Sequence, residues 1–594
     1  MGKNNVEILF ETSYEVCNKV GGIYTVLISK AALMKEKYPS YVAIGPYYHD
    51  KANLSLEQLP APKEYSDIFD DLRKEGIECI YGRWLIPGEP NVILIDFKNY
   101  LSKTNDIKKE LWEAFGVDTL YCSYDFTEPM VWAWCVGRLL DRIGRKYPDK
   151  KIVAQFHEWL AGIALLNLKK NNSTIRTVFT THATMLGRAI AGSGEDLYSM
   201  LDRINPYEEA KKRGILDKFT TEKACATNCE IFTTVSEITG IEAEKILGRK
   251  PEVLVLNGLD AEKFPTIEGT SIKHQQTREI IREFLAYYFF PYYEIDLEES
   301  LNFFLLARYE FKNKGIDVYI KSLGKLNKRL KDEKSEKTVI SLFFVPMDSH
   351  GIKTSLLENK NFYHEIKDAV EAQNVIVKTR LIRDLVSNKK IEIENLLPKD
   401  FIMSIKKTTQ SFIKQGESPP LSTHTLQNEN ENEVIVALRN EGLLNKREDK
   451  VKVIIYPVYL SESDGVLNMK YYDVVSGCHL GIFPSYYEPW GYTPLECGAL
   501  GVPSITTDLS GFGRYIENIP NEKKGGVYVL KRYHKSDNDF VDDFTETLYR
   551  FTKMKKNERV NQKVLAKELS LLADWSILIN NYIEAHNRAL EAKR

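Results

Sequence analysis

Val6-Glu-Ile-Leu-Phe-Glu11 is a short apolar run, and the chain continues through Thr12-Ser-Tyr-Glu-Val-Cys-Asn-Lys-Val-Gly-Gly22 into Ile23-Tyr-Thr-Val-Leu-Ile-Ser-Lys-Ala-Ala-Leu-Met-Lys-Glu-Lys37. The first part reads as a buried strand, the middle as a glycine-containing loop, and the last carries apolar residues at helical spacing. Working outward, the same alternation recurs. Short β-branched runs stand at Tyr41–Ile44, Val92–Phe97, Lys151–Phe156, Ile175–Thr180, Ile231–Val235 and Val253–Leu256, with helical patterns such as Pro129–Lys146 and Glu237–Leu247 between them. Strands alternating with helices predict βαβ units and a parallel, doubly wound sheet. After a polar stretch near Pro265–Gln276 the series restarts at Phe303–Ala307, Val339–Val345, Val451–Pro457, Cys478–Phe483 and Ser504–Thr507. The expectation is an α/β protein of two Rossmann-like domains facing a cleft, with ligands at the carboxyl ends of the strands.

The predicted boundaries are an N-terminal Rossmann-like domain at 1–265 and a C-terminal Rossmann-like domain at 266–555. A charged helical insertion at about 357–450 interrupts the second domain, and helices at 556–594, anchored by Trp575, are expected to pack back on the first. The insertion reads equally as a solvated excursion or as a surface that pairs subunits.

Composition narrows the function. Across 594 residues, 81 Lys and Arg stand against 83 Asp and Glu, a formal net charge of −2. A binder of nucleic-acid backbone would carry a clustered basic excess, so no nucleic-acid partner is expected and any anionic ligand needs a local site. The apolar stretches at Asn302–Ala307 and Pro129–Leu140 fall short of the ~18 residues that cross a bilayer, so no membrane partner is expected. Met1-Gly-Lys-Asn-Asn5 leads straight into a strand without a cleavage site. Eight dispersed cysteines form no disulfide framework, and Cys225 and Cys229 lack a second metal-spaced pair and read as packing residues. These features predict a cytoplasmic protein.

The most informative segment is Phe483-Pro-Ser-Tyr-Tyr-Glu-Pro-Trp-Gly-Tyr-Thr-Pro-Leu-Glu-Cys497. Thr493 is placed as an N-cap, Pro494 as the first helical residue, and Glu496 as the partner in a Thr-x-x-Glu capping box. The same turn aims the amides of Gly491, Tyr492 and Thr493 at a positive helix end suited to a diphosphate. Glu488 sits in a loop between aromatics and a proline, where no element needs a carboxylate, and is a catalytic or sugar-binding candidate. In Leu306-Ala-Arg-Tyr-Glu-Phe-Lys-Asn-Lys-Gly315, Arg308 at a strand end and Lys314 in the following loop can converge on one pyrophosphate, though isolated they would be two solvated cations. Asn18-Lys19-Val-Gly21-Gly22 lacks the dinucleotide glycine spacing and sets a dehydrogenase aside, but still permits close backbone approach. Phe156-His-Glu158 and Thr180-Thr-His182-Ala-Thr-Met-Leu-Gly-Arg188 place polar side chains after adjacent strands, in reach of one pocket. A metal-dependent sugar transferase would need Asp-x-Asp beside a strand. Asp537-Asn-Asp539, read as a solvated loop, does not supply it, so no metal is expected.

These segments resemble glycogen synthase of the animal and fungal type, a retaining glycosyltransferase (family 3) with the GT-B fold. Matching stretches are Glu15–Thr25, Phe156–Gly162, Thr181–Arg188, Phe232–Ser236, Asn257-Gly-Leu259, Arg308–Phe311 with Asn313-Lys-Gly315, and Gly477–Gly513. The resemblance implies that Glu488 is the carboxylate at the donor glucose and that Glu496 holds the ribose. Arg308 and Lys314 would grip the diphosphate beside the Thr493 turn, and Tyr471 would stack on uracil. Gly21 and Gly22 would approach the phosphates, with His182, Arg188 and Asn257 lining the sugar side. The implied reaction transfers glucose from UDP-glucose to the 4-hydroxyl of an α-1,4-glucan such as glycogen, with no cofactor beyond the donor substrate, in a homotetramer that a priming protein could serve. A related transferase using ADP-glucose or another acceptor, and a non-catalytic glucan-binding scaffold, are the alternatives. The family's arginine-rich helix for glucose 6-phosphate corresponds to Lys553–Ser570, where Lys555, Lys556, Lys563 and Lys567 accompany one arginine, Arg559. Lysines replace bidentate phosphate forks poorly, so constitutive or different regulation is expected.

Overall fold

The computed structural model describes residues 4–414, 416, 418–520 and 525–593; Met1–Lys3 of the N-terminal reading lie outside the described residues. The first sheet holds nine strands: β1 (Ile8–Thr12), β2 (Ser40–Pro46), β3 (Leu56–Gln58), β4 (Glu78–Trp84), β5 (Asn91–Asp96), β6 (Ile152–His157), β7 (Arg176–Thr181), β8 (Ile231–Thr234) and β9 (Val253–Leu254). Their order is β3-β4-β5-β2-β1-β6-β7-β8-β9. β1 pairs in parallel with both β2 (Ile8 opposite Ser40) and β6 (Ile8 opposite Ile152). Only the β3–β4–β5 edge is antiparallel.

The second sheet is wholly parallel. It is built from β10 (Leu301–Leu306), β11 (Val339–Phe344), β14 (Val451–Tyr456), β15 (Leu480–Ile482), β16 (Ser504–Thr507) and β17 (Val527–Leu530) in the order β14-β11-β10-β15-β16-β17. Every residue of β11 and β14 is buried, because helices cover both faces; this is why these strands read as unbroken apolar runs. β12 (Ser349–Ile352) and β13 (His424–Leu426) form a separate antiparallel pair flanking the insertion, whose longer helices run over Thr354–Ala372, Asn374–Val386 and Lys399–Phe412.

One segment gains a helix and one local reading is corrected. The polar stretch around 265–276 is the first half of a helix, Ile267–Phe289, started by Thr266 capping the Gly269 amide; its polar side lines a cavity described below. Asp537 and Asp539 are not in a loop but in the first turn of the helix Asp537–Lys553, capped by Ser536, where acidic side chains complement the positive helix end.

The last two helices part company. Lys556–Leu571 packs on the second domain, where Lys567 Nζ donates to the carbonyls of Ala499 (2.5 Å) and Pro265 (2.6 Å). Trp575–Glu591 packs on the first. Trp575 Nε1 donates to Ser29 Oγ (2.8 Å), and His586 bonds Tyr38 OH (2.6 Å) and Gln155 Oε1 (3.0 Å). Trp575 is 1% exposed and seats against Gly258, where an added Cβ would lie 2.5 Å from its ring. Glu237 at the head of helix Glu237–Leu247 bonds Arg514 (2.9 Å) and Asn518 (2.9 Å), which joins the domains beside the cleft. All eight cysteines are free.

Candidate active site

Three loops at the carboxyl ends of β10, β15 and β16 build one wall of the cleft. Gly315, at φ +69, lets the β10 loop touch the β15 loop, since a Cβ there would sit 2.1 Å from the Pro484 carbonyl oxygen. Tyr486 N donates to Asn313 O (2.9 Å) across the same seam. The result brings Lys314 Nζ to 2.8 Å from Glu488 Oε2, both side chains partly buried. Arg308 does not join them. Its side chain is 78% exposed and pairs with Glu310 at 2.9 Å, so its fork must swing inward to meet a pyrophosphate.

The predicted capping box does not form. Gly491, not Thr493, caps the helix Tyr492–Ala499, and it does so at φ +108 without a side-chain bond. The helix therefore begins two residues earlier, and Glu496 is freed for other partners: Tyr471 and Tyr472 each donate a hydroxyl to it at 2.9 Å. Burial pushes its carboxyl above the ordinary value despite those two bonds. As the first turn, the amides of Tyr492 and Thr493 have no intrahelical acceptor. The Tyr492 hydroxyl is buried with no partner among the described residues, so the group this residue can offer a ligand is its backbone amide.

The facing wall comes from β1, β6, β7 and β9. His182, 8% exposed, follows β7, and its Nε2 lies 2.9 Å from His157 Nδ1. Glu158, in the left-handed region at φ +64, accepts the amides of His182 (2.9 Å) and Ala183 (3.3 Å), and Arg188 stands 3.8 Å from it. Asn257 is buried, with Oδ1 unpartnered among the described residues. Gly21 and Gly22 are exposed, as is Lys19, but the Gly21 and Tyr24 amides already donate to Glu15 Oε2 (2.8 Å each). An incoming phosphate would have to displace that carboxylate.

Several site residues were missed by the sequence reading. Glu11, Lys30 and Tyr41 are buried behind His157. Glu222 and Glu242 stand with Glu158 near Arg188, and Tyr487, the neighbour of Glu488, donates to Glu242 Oε1 across the domain boundary (3.1 Å). Burial raises Glu158, raises Glu222 far above the carboxylate range, and pushes Glu242 to about 7. A glutamate closing an apolar strand, as Glu11 does, was the one legible signal, because burying a charge requires a partner. Among the described residues, no three His, Cys, Asp or Glu side chains converge as a metal site.

The glycogen synthase family model matches residues 11–593. The chain belongs to the glycogen synthase family. The chain is 37% identical over 592 residues to the Neurospora crassa glycogen [starch] synthase, covering 98% of this chain and 83% of that one. To the human liver glycogen [starch] synthase it is 36% identical over 590 residues, with the same coverage of 98% and 83%. A solved catalytic domain of starch synthase IV from Arabidopsis thaliana, bound to ADP and acarbose, aligns over 99% of both chains with TM-score 0.48 and 12% identity. Family membership makes the chain a glycosyltransferase, and its two domains, one sheet mainly and the other wholly parallel, have the GT-B arrangement.

This family member also carries a cavity of about 400 Å³ lined by none of the active-site candidates above. The helix Lys556–Leu571 contributes Arg559, Lys563 and Lys567, while helix Ile267–Phe289 contributes His274, Arg278 and Arg282, and His479 closes it. The arginine-poor helix therefore does not act alone, because two further guanidiniums reach the cavity from another element. Glu279 also lines the cavity and pairs with Arg282 at 2.5 Å, while burial and the neighbouring arginines hold Lys563 down at about 7.

Proposed function

We propose that this protein transfers glucose from UDP-glucose to the 4-hydroxyl of an α-1,4-glucan end, with retention and without a metal ion. The observation that carries the reading is the Lys314–Glu488 pair at 2.8 Å, fixed at strand ends opposite His182. As donor enters, Lys314 would leave Glu488 for the departing diphosphate, with Arg308 folding in beside it; fixed cations aimed where charge develops supply the stabilisation a metal gives elsewhere. Glu488 then faces the electron-poor anomeric centre. Glu496, held by Tyr471 and Tyr472, would take the ribose hydroxyls, and the ring of Tyr471 would stack on the base. His182, Arg188 and Asn257 would line the glucose, with Glu158 orienting the His182 backbone.

Assembly and setting are part of the proposal. The insertion leaves Val375 (78%), Leu385 (59%) and Val386 (84%) exposed, an apolar face that supports pairing into a homotetramer and that gel filtration would test. Free thiols, and the absence among the described residues of any helix long and apolar enough to cross a membrane, accord with a cytoplasmic enzyme whose first glucan is supplied by a priming protein. The test of the reaction is product analysis. Label from UDP-glucose should enter glycogen as α-linked units fully released by an exo-acting α-1,4-glucanase, and label in another linkage would refute the reading.

A further inference from the structure

Behind His182 lies a chain of three groups whose protons can be counted. Glu11 is completely buried and accepts on Oε1 from Lys30 Nζ and from His157 Nε2 (2.8 Å), and on Oε2 from Tyr41 OH (2.6 Å). Burial acts to raise this carboxyl, but the Lys30 ammonium and the His157 bond overcome it and hold Glu11 far below the usual range. Burial also holds His157 below its ordinary value, and His182 well below. The chain is thus a carboxylate followed by two neutral imidazoles.

The assignment follows from valence. A carboxylate can only accept, so the proton between Glu11 and His157 sits on His157 Nε2. A neutral imidazole has one N–H, which leaves His157 Nδ1 as an acceptor. The proton of the 2.9 Å bond between the two rings therefore sits on His182 Nε2. His182 has then spent its own N–H; the bond to His157 is its one side-chain hydrogen bond among the described residues, and its Nδ1 is left as a bare lone pair.

We propose that Glu11 and His157 are positioning residues that lock His182 in the Nε2–H tautomer, so that His182 meets a sugar hydroxyl in the cleft as an acceptor at Nδ1. The opposite tautomer would present a donor and could not bind the hydroxyl hydrogen. This inference rests on reading the cleft as a glucosyl-transfer site. Lys30 belongs to the same device. Its ammonium sits 4.5 Å from the Tyr582 ring of the last helix and keeps Glu11 ionised.

Long-range proton–nitrogen correlation spectra of the ¹⁵N-histidine-labelled full chain at neutral pH read the tautomers directly, with the His182→Asn variant assigning the signal. His182 should show Nε2 protonated and Nδ1 bare, and His157 the same. His157→Gln returns an amide oxygen to His182 and an N–H to Glu11, so it should keep the tautomer. His157→Phe removes both, and should mix the tautomers and lower kcat/KM on the order of 10- to 100-fold, as loss of a supporting partner does at other sites. A wild-type His182 that carries its proton on Nδ1, or is doubly protonated, overturns the proposal; that spectrum decides even if His157→Phe fails to fold. The predicted spectrum together with no transfer from UDP-glucose would fell the functional reading and leave the tautomer assignment standing.

Discussion

Replacing Lys314 by methionine separates its catalytic work from its structural work. In the resting cleft the ammonium has one partner, Glu488 at 2.8 Å, and the two side chains are 14% and 29% exposed. Methionine keeps the apolar stem that lies along the β10 loop. What folding loses is one partly exposed ion pair, which is ~1 kcal/mol or less once solvent screening is counted. What the reaction loses is larger. The ammonium pairs with Glu488 while Arg308 is turned out to Glu310, so in the proposed reaction Lys314 would meet the leaving diphosphate first. Removing one preorganised donor from developing negative charge costs about 100- to 1000-fold in kcat, or about 3–4 kcal/mol. The assay is UDP release at saturating UDP-glucose and glycogen, beside a thermal melt of the same sample. The expected result is a kcat loss of that size with an almost unchanged Tm. A variant that keeps most of the wild-type kcat refutes the role given to Lys314. A collapse of Tm alongside kcat would instead make it a structural residue.

Glu242 supplies a pH signature. Burial lifts its carboxyl from 4.5 to about 7, so the folded state favours the protonated form, and the stability it contributes is full below pH 4.5 and is lost as pH rises through 7. Glu242→Gln should therefore melt close to wild type at pH 5 and higher than wild type at pH 8, by up to ~3 kcal/mol; an equal difference at both pH values would contradict the assignment. Gly258→Ala drives a Cβ to 2.5 Å from the Trp575 ring and should cost about 1–3 kcal/mol, read as a lower Tm, whereas an unchanged melt would mean the last helix is not seated there. Glucose 6-phosphate should raise Tm through the cationic cavity, by the equivalent of about 2.7 kcal/mol at a hundred times its Kd, and Arg278→Ala with Arg559→Ala should abolish the shift; a melt insensitive to the sugar phosphate would restore the expectation drawn from the lysine-rich helix.

The alternation of strands and helices was legible because parallel strands are covered on both faces. Phe303–Ala307 and Val451–Pro457 have no polar face to confuse the period, and β10 and β14 lie there. The antiparallel edge was not legible. β4 mixes buried, half-buried and exposed residues around a glycine, and β3 is a three-residue edge strand with Glu57 and Gln58 both exposed. The helix Ile267–Phe289 escaped because its first half, Glu268 to Gln276, buries only Thr270 and turns polar side chains to solvent and to the cavity lined by Ser271, His274 and Gln275, so the apolar stripe is thin.

At the site, strand-end placement singled out Glu488, Lys314 and His182 as candidates; in the structure Lys314 and Glu488 pair at 2.8 Å and His182 directly follows β7. What the sequence could not carry was pairing between distant segments. Thr493 and Glu496 have the spacing of a capping box, yet Gly491 at positive φ starts the helix earlier, and two tyrosine hydroxyls claim the carboxylate. Glu11, Lys30 and His157 are far apart in sequence and meet only because β1 and β6 pair side by side in the sheet and the helix Ile23–Lys37 brings Lys30 to them. Nothing in the run Val6–Glu11 names its partner.

The central claim is the donor and the chemistry, and one assay addresses both. Purified protein is given glycogen and EDTA, with labelled UDP-glucose and labelled ADP-glucose in parallel, and the Glu488→Gln variant runs beside wild type. The account predicts incorporation by wild type from UDP-glucose in the presence of chelator, much less from ADP-glucose, and none by a folded Glu488→Gln. Incorporation that needs a restored divalent metal, that prefers ADP-glucose, or that survives in Glu488→Gln would contradict it.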